Sequence, residues 1–239
     1  MPSVKRKLLT NESKASRFDF DRVAGSYDSW YAGRRGEMYD RFEKKLIANF
    51  LPTETEGKRL LEIGCGTGHW SRFFSQYGFE ITGLDISERM INTALEKGIP
   101  NVSFHMGDGH LLPFIDNTFD LTAAITTLEF VRDADVVLRE MIRCTRKPGR
   151  ILLGMLNVLS TVNRQRQRRG CPENPYADAR LFSPVELREF LEPYGRVEIT
   201  VGGFVPTQNW LIPLAPWIDR IARMFGVQKG AFMAAVLKL

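Results

Sequence analysis

Short apolar runs alternate with amphipathic segments through the middle of the chain, which is the pattern of a parallel β-sheet covered by helices. Five of these runs predict strands at residues 58–64, 79–85, 101–108, 119–126 and 150–157. Two later runs predict the last two strands, at residues 196–203 and 231–239. The expected fold class is therefore α/β, with helices on both faces of one sheet.

Helix boundaries between the strands are marked by capping residues. Ser87 is placed to cap a helix that Gly98 stops, and Asp133 or Asp135 lies near the start of a later helix. We expect Lys147-Pro148-Gly149 to end that later helix, because proline and glycine both oppose its continuation.

The two ends of the chain depart from the alternating pattern. Residues 1–50 are predicted to form an N-terminal helical cap, because apolar side chains recur every four residues at Met38, Phe42, Leu46 and Phe50. Residues 51–239 are predicted to form the main domain, with insertions at about 158–182 and 203–230. Insertions of this kind usually lie over the carboxyl edge of a parallel sheet, where ligands bind.

A glycine-rich turn follows the first predicted strand. Glu62-Ile63-Gly64-Cys65-Gly66-Thr67-Gly68 opens a helix predicted over residues 69–78, and its glycines allow a ligand to approach the backbone closely. His69 stands where the nicotinamide-protein fingerprint has its third glycine, so the spacing is GxGxG. Asp85 ends the second strand about 20 residues later, where a carboxylate can accept both hydroxyls of a ribose. Together these features indicate an adenosine-type cofactor.

Several motifs in one order resemble the class I S-adenosylmethionine-dependent methyltransferases. They are LLEIGCGTG, ITGLDIS and GDGHLLPFIDNTFDLTAAITTLEFV, preceded by FDFDRVAGSYDSWY near the N-terminus. The resemblance is to the branch of the ubiquinone and menaquinone C-methyltransferases (methyltransferase type 11) and covers roughly residues 58–157. It implies a three-layer Rossmann-like fold, a mostly parallel seven-stranded sheet with an antiparallel last strand, and S-adenosyl-L-methionine as cofactor.

The same resemblance implies a role for individual residues. Asp85 would take the ribose hydroxyls, Asp108 the adenine amine, and Thr126 and Leu128 would lie beside the methionine sulfur, while Tyr27 would close over the cofactor. The full set of implied cofactor contacts is Tyr27, Glu62, Gly64, Cys65, Gly66, Gly68, Asp85, Ile86, Asp108, Gly109, Thr126 and Leu128.

The residues that would carry catalysis are less well marked. A general base would assist transfer to a hydroxyl, an amine or an activated carbon, and the candidates are His69, His110 and Glu129. Each also has a structural reading: His69 as a helix-capping or packing residue, His110 as a loop residue, and Glu129 as a partner of a nearby arginine.

The cysteine spacing and the length of the apolar runs indicate the cellular compartment of the protein. The three cysteines are far apart and have no metal-ligand spacing, so neither a metal nor a disulfide framework is expected. No apolar run is long enough for a signal peptide or a membrane span. We therefore expect a cytoplasmic protein, monomeric or homodimeric, with no transmembrane segment.

The class of methyl acceptor is inferred mainly by excluding the signatures of other methyltransferase classes. The chain has neither the [N/D]PP[Y/F/W] signature of adenine or glutamine amino-methyltransferases nor the Pro-Cys nucleophile of cytosine C5 enzymes after the fourth strand. A small-molecule acceptor, anionic or apolar, is the leading hypothesis. An arginine cluster is placed to attract an anion, and a basic amphipathic segment, residues 217–225, suits an apolar or membrane-embedded acceptor; the cluster comprises Arg164, Arg166, Arg168 and Arg169.

Two alternatives remain open: an RNA methyltransferase that uses the basic flanks, or a non-catalytic cofactor-binding scaffold subunit. The net charge of +5 is unevenly distributed. Residues 1–50 and 151–239 each carry 11 basic and 7 acidic side chains, whereas residues 51–150 carry 11 and 14. Because the core with the cofactor motifs is acidic, the basic excess raises the question of whether the flanks attract an anionic acceptor.

Overall fold

The structure is a computed structural model that describes residues 15–169, 174–206 and 208–239. Among these residues, seven strands form one sheet in the order β3-β2-β1-β4-β5-β7-β6. The strands are β1 Arg59–Ile63, β2 Glu80–Asp85, β3 Val102–Met106, β4 Phe119–Ile125, β5 Thr145–Leu156, β6 Arg196–Gly202 and β7 Phe232–Lys238. β7 runs antiparallel to both of its neighbours, and the other pairs are parallel. The predicted seven-stranded α/β fold is confirmed.

Helices cover both faces of this sheet. They are α1 Arg34–Ala48, α2 His69–Ser75, α3 Glu88–Glu96, α4 Ala134–Cys144, α5 Thr161–Gln167, α6 Pro184–Leu191 and α7 Ala215–Met224. One buried layer includes Leu138 and Met141 of α4. The opposite layer joins Phe74 of α2 to Leu46 and Ile47 of α1, so the apolar stripe of α1 covers the sheet as its spacing predicts.

The end of α4 differs from the prediction. Lys147-Pro148-Gly149 lies inside β5 and does not end the helix, which stops at Cys144. Thr145 already has extended backbone and pairs with Phe119 of β4, while its hydroxyl donates to the Met141 carbonyl at 2.7 Å. Strand pairing therefore ends the helix before the proline is reached.

The N-terminal residues and the two predicted insertions are tied to the core at specific points. Two 3₁₀ helices, Phe20–Arg22 and Ala24–Ala32, precede α1. Asn163 of α5 donates to the backbone oxygens of Asn157 and Ala231, beside the ends of β5 and β7. Asp219 of α7 accepts the Gly203 N–H beside the carboxyl end of β6. Since β6 is parallel to β5, both insertions are anchored at the carboxyl edge of the sheet.

Within residues 15–169, 174–206 and 208–239, no helix combines the length and the apolar character needed to cross a membrane.

Candidate active site

The carboxyl ends of β1, β2 and β4 surround a cavity of about 800 Å³, a volume that includes its open mouth. The glycine turn, the β2 and β3 ends and the loop after β4 form its walls, and the N-terminal residues close it from above. Nine of the twelve predicted cofactor contacts lie on its lining: Tyr27, Gly64, Cys65, Gly66, Asp85, Ile86, Asp108, Gly109 and Thr126. A cavity at the carboxyl edge of a parallel sheet is the usual place of a ligand site in α/β proteins.

The glycine turn has left-handed backbone at Gly64, Gly66 and Gly68, with φ of +69°, +52° and +78°. A Cβ on Gly64 would lie 2.4 Å from the side chain of Thr127, so the turn packs against the β4 loop. A Cβ on Gly66 would meet no atom within 4 Å, because this glycine faces the open cavity. The turn therefore presents bare backbone to a ligand at Gly66.

Asp85 holds this turn in place from the end of β2. Its two carboxylate oxygens accept the Gly66 N–H at 2.8 Å and the Ser87 N–H at 2.9 Å. Burial raises the pKa of Asp85, while the N–H groups of Ser87, Gly66 and Ile86 act in the opposite direction. The carboxylate is thus fixed at the cavity wall, where hydroxyl donors of a ligand can reach its remaining lone pairs.

His110 lines the cavity, but both of its ring nitrogens are engaged. Nδ1 lies 2.6 Å from Oδ1 of Asp108, and Nε2 accepts the N–H of Asp133, the N-cap of α4. These contacts place the Nδ1–H toward Asp108 and leave Nε2 as the acceptor of the Asp133 N–H. The hydrogen bond from His110 holds the pKa of Asp108 below its ordinary value. His110 therefore orients Asp108 and has no free nitrogen for a substrate proton.

His69 begins α2 and also lines the cavity. Its Nε2 lies 2.6 Å from Asp40 on α1, and its ring stacks on Tyr31 with the centroids 3.7 Å apart. Asp40 also accepts from Lys44 at 2.7 Å. Burial alone would raise the pKa of Asp40, but the hydrogen bonds from His69 and Lys44 outweigh it and lower that pKa.

Glu129 is fully buried and lies outside the cavity lining. One carboxyl oxygen accepts the Leu156 N–H at 2.6 Å, and the other has no hydrogen-bond partner among the described residues. Burial raises the pKa of Glu129 to about 7, against the lowering effect of the Leu156 N–H. The position of Glu129 is that of a structural carboxyl between β5 and the β4 loop.

Three other predicted contacts also lie behind the cavity wall. Glu62 is buried and accepts from Ser71 of α2 at 2.5 Å, which braces β1 against that helix, and burial raises the pKa of Glu62 to about 8. Gly68 packs against the side chains of Ile99 and Phe104. Leu128 is fully buried in the core.

The sequence prediction missed part of the lining. Phe20 and Tyr31 come from the N-terminal residues, and Thr127, Phe130 and Val131 come from the β4 loop. The rings of Phe20 and Phe130 meet edge to face with centroids 5.2 Å apart. More than a hundred residues separate this pair along the chain, so periodicity gives no signal for it. Phe20 belongs to the motif FDFDRVAGSYDSWY, but that motif does not predict its contact with Phe130.

Polar side chains fasten the N-terminal residues to the cofactor side of the cavity. Thr67 of the glycine turn donates to Asp28 at 2.6 Å, and Lys97 pairs with the other oxygen of Asp28 at 2.6 Å. Ser87, after β2, donates to Asp21 at 2.5 Å. These contacts make the cover and the floor of the cavity one connected unit.

A glycine turn after β1, a fixed carboxylate after β2 and this strand order define a nucleoside-binding enzyme of the methyltransferase type. Residues 61–153 match the family model described as "Methyltransferase domain". The chain is 34% identical over 241 residues to the 2-methyl-6-phytyl-1,4-hydroquinone methyltransferase of Synechocystis, an alignment that covers 84% of this chain and 72% of that protein. The chain belongs to the class I S-adenosylmethionine-dependent methyltransferases, in the branch that includes quinone methyltransferases, and its cofactor is S-adenosyl-L-methionine.

Solved structures show the same fold. A Thermotoga maritima S-adenosylmethionine-dependent methyltransferase, described as a possible histamine N-methyltransferase, superposes with a TM-score of 0.72 at 24% identity, over 92% of this chain and 97% of that chain. A Haemonchus contortus phosphoethanolamine N-methyltransferase in complex with S-adenosylhomocysteine superposes with a TM-score of 0.65 at 17% identity, over 91% of this chain and 57% of that one.

The buried Glu129 carboxyl makes a pH-dependent contribution to stability. Because its folded pKa of about 7 exceeds the ordinary value of 4.5, stability is fully present below pH 4.5 and is lost as pH rises through about 7. Glu129→Gln removes this loss and keeps an oxygen for the Leu156 N–H. We expect the stability of Glu129→Gln relative to wild type to increase by about 1–3 kcal/mol between pH 5 and pH 8.5 in urea denaturation.

Glu189→Gln, an exposed change of the same chemistry, serves as the control and should show no such difference. If the difference in unfolding free energy between Glu129→Gln and wild type were the same at pH 5 and pH 8.5, the raised pKa of Glu129 would be contradicted.

Proposed function

We propose that the cavity binds S-adenosyl-L-methionine on its glycine-turn side and an apolar, aromatic small-molecule acceptor against the rings that face it. One observation carries this proposal: the same cavity is lined by bare backbone and carboxylate groups and by a set of aromatic rings. The rings belong to Phe20, Tyr27, Tyr31, Trp70 and Phe130. Among the described residues, no lysine or arginine lies on the lining.

The cofactor fits the groups present. The open space at Gly66 admits a ligand against the backbone, and Asp85 offers carboxylate oxygens for two ribose hydroxyls. Asp108 and Gly109, with Ile86 opposite, suit the adenine. When bound, the cofactor supplies an electrophilic methyl group on a positively charged sulfur. The rings of Tyr27 and Phe20 exclude water from the neighbourhood of that group, which favours in-line displacement.

The arginine cluster does not support an anionic acceptor inside the cavity. Arg166 is buried, with its guanidinium 4.5 Å from the Trp30 ring centre and 5.4 Å from those of Tyr39 and Tyr176. Arg164, Arg168 and Arg169 of the same cluster are exposed. Arg166 therefore anchors α5 beneath the N-terminal residues through cation–π contacts, and the four arginines do not form one anion site.

The quinone methyltransferases among the relatives support an apolar acceptor. One relative is described as acting on a 2-methyl-6-phytyl-1,4-hydroquinone, a ring that carries a long apolar chain. An acceptor of that chemistry matches a lining of aromatic rings without cationic side chains. An RNA acceptor would need exposed bases to stack beside basic groups, and the cavity offers no cationic side chain among its described residues.

His69 is the general base that the geometry leaves available. His110 has both nitrogens engaged, and Glu129 lies behind the wall. Asp40 orients the His69 ring through Nε2, and no hydrogen bond to Nδ1 is found among the described residues, so Nδ1 can take the acceptor proton. Tyr31 stacks on the His69 ring and so fixes the plane of that ring.

Residues 15–50 act in this proposal as a cap over the cavity, and the two insertions extend the cover along the sheet edge. Cys65 and Cys144 are free and buried, which suits the reducing cytoplasm. Cys171 lies outside the described residues.

Asp85→Asn should weaken binding of S-adenosylhomocysteine by about 10- to 100-fold, because a charged acceptor of two hydroxyl donors is lost. Isothermal titration calorimetry measures the change, and a thermal melt without ligand shows that the variant is folded. Glu96→Gln, an exposed carboxyl on α3, is the matched control. Wild-type affinity in Asp85→Asn would remove the ribose assignment.

Methyl transfer from labelled S-adenosylmethionine should be detected with a short-chain prenylated hydroquinone. It should be at least about tenfold slower with phosphoethanolamine, a malonyl thioester or RNA, since none of these fits an apolar lining. Transfer to RNA alone would reverse the assignment, and cofactor binding without transfer to any acceptor would support the scaffold alternative.

His69→Gln keeps a donor for Asp40 and removes the base. We expect kcat with the prenylated hydroquinone to fall by about 100-fold, with little change in the KM of the acceptor or in cofactor affinity. His105→Gln, an exposed histidine on β3, is the control. A kcat unchanged in His69→Gln would exclude His69 as the base.

A further inference from the structure

The apolar side of α7 points away from the protein. Leu214, just before the helix, and five residues at helical spacing form what we call the α7 outer face: Leu214, Trp217, Ile218, Ile221, Met224 and Phe225. Trp217 is 65% exposed, Met224 72% and Phe225 75%. Trp210, in the preceding 3₁₀ helix, is 77% exposed. A surface helix of a globular protein normally turns such a face inward.

The inward side of α7 carries the polar anchor. Asp219 is only 2% exposed, and its Oδ1 accepts the N–H groups of Gly203 and Phe204 at 2.8 and 3.3 Å. Its other oxygen accepts from Arg223 at 2.8 Å. Rotating the helix to bury Trp217 would break the two hydrogen bonds that Gly203 and Phe204 donate to this buried carboxylate, a costly change. The outward direction of the apolar face is therefore fixed by the fold.

A basic side chain borders this face, and others lie on a helix that shares a buried cluster with the start of α7. Arg220 is exposed and lies four residues before Met224, hence beside it on the helix surface. Arg164 of α5 and Arg168, directly after that helix, are both exposed. Val162 of α5 packs on the same buried cluster as the residues at the start of α7. Residues 151–239 carry 11 basic and 7 acidic side chains. The complement of an apolar face that Arg220 borders, in a segment with a basic excess, is an apolar layer with an anionic surface.

We propose that the α7 outer face inserts into the interfacial layer of an anionic lipid bilayer and holds the enzyme on the membrane surface. Trp210 and Trp217 suit the headgroup level, where an indole ring has apolar and polar contacts together. α7 is anchored at the same sheet edge as the cavity, so attachment brings the cavity near the bilayer. The attachment does not depend on the identity of the acceptor.

Vesicle co-sedimentation tests the proposal with the full chain and two lipid compositions, phosphatidylcholine alone and phosphatidylcholine mixed with phosphatidylglycerol. Wild type should bind the anionic vesicles, and added salt should weaken the binding. The double variant Trp217→Ser/Ile221→Ser should bind about 100-fold more weakly, since two large apolar side chains no longer leave water. Arg220→Glu should reduce the preference for anionic vesicles.

The matched control is Leu111→Ser/Ile115→Ser, which changes two apolar side chains that are 72% and 81% exposed in the loop after β3. This control should bind vesicles as wild type does. Calorimetry with S-adenosylhomocysteine shows that all variants are folded and separates failure of membrane binding from failure of the proposed function.

Two results would overturn the proposal. One is equal vesicle binding by wild type and Trp217→Ser/Ile221→Ser. The other is absence of vesicle binding together with a wild-type dimer that becomes monomeric in that variant by light scattering, because a second copy of the chain would then cover the face.

Discussion

The carboxylate of Asp85, held between the N–H groups of Gly66 and Ser87, is the interaction around which the site is built. It joins the glycine turn after β1 to the loop after β2, so two segments that face one ligand cannot move apart. Burial makes its charge costly, and backbone donors offset that cost. The left-handed Gly66 leaves bare backbone beside the carboxylate, whereas Gly64 and Gly68 are left-handed positions with no room for a side chain.

Charged side chains also orient the segments that surround this centre. Asp28 and Asp21 fasten the N-terminal residues to the glycine turn and the β2 loop. Arg166 lies under the rings of Trp30 and Tyr39 and so fixes α5. Asp219 sets the rotation of α7 in the same way. In each case one charged side chain with defined partners decides which surface an element turns to the cavity or to solvent.

Local signals predicted most of the fold. Apolar runs predicted six strands to within a few residues of their observed bounds, whereas β5 begins five residues before its predicted start. Ser87 and Asp133 cap helices as their side chains suggest. The error at Lys147-Pro148-Gly149 has a clear cause, because Thr145 is drawn into pairing with Phe119, a contact that helix-ending rules do not consider. Nine of the twelve implied cofactor contacts lie on the cavity lining, and Glu62, Gly68 and Leu128 lie behind it.

The sequence by itself determined the α/β order, the glycine turn and the carboxylates after β2 and β3, because each depends on neighbours a few residues away. Only the tertiary structure decided that both nitrogens of His110 are engaged, that Glu129 is sealed in the core, and that Phe20 meets Phe130 across the cavity. It also decided that the apolar side of α7 faces outward. Helical periodicity reports that one side is apolar, but the direction of that side depends on where Asp219 finds its distant partners.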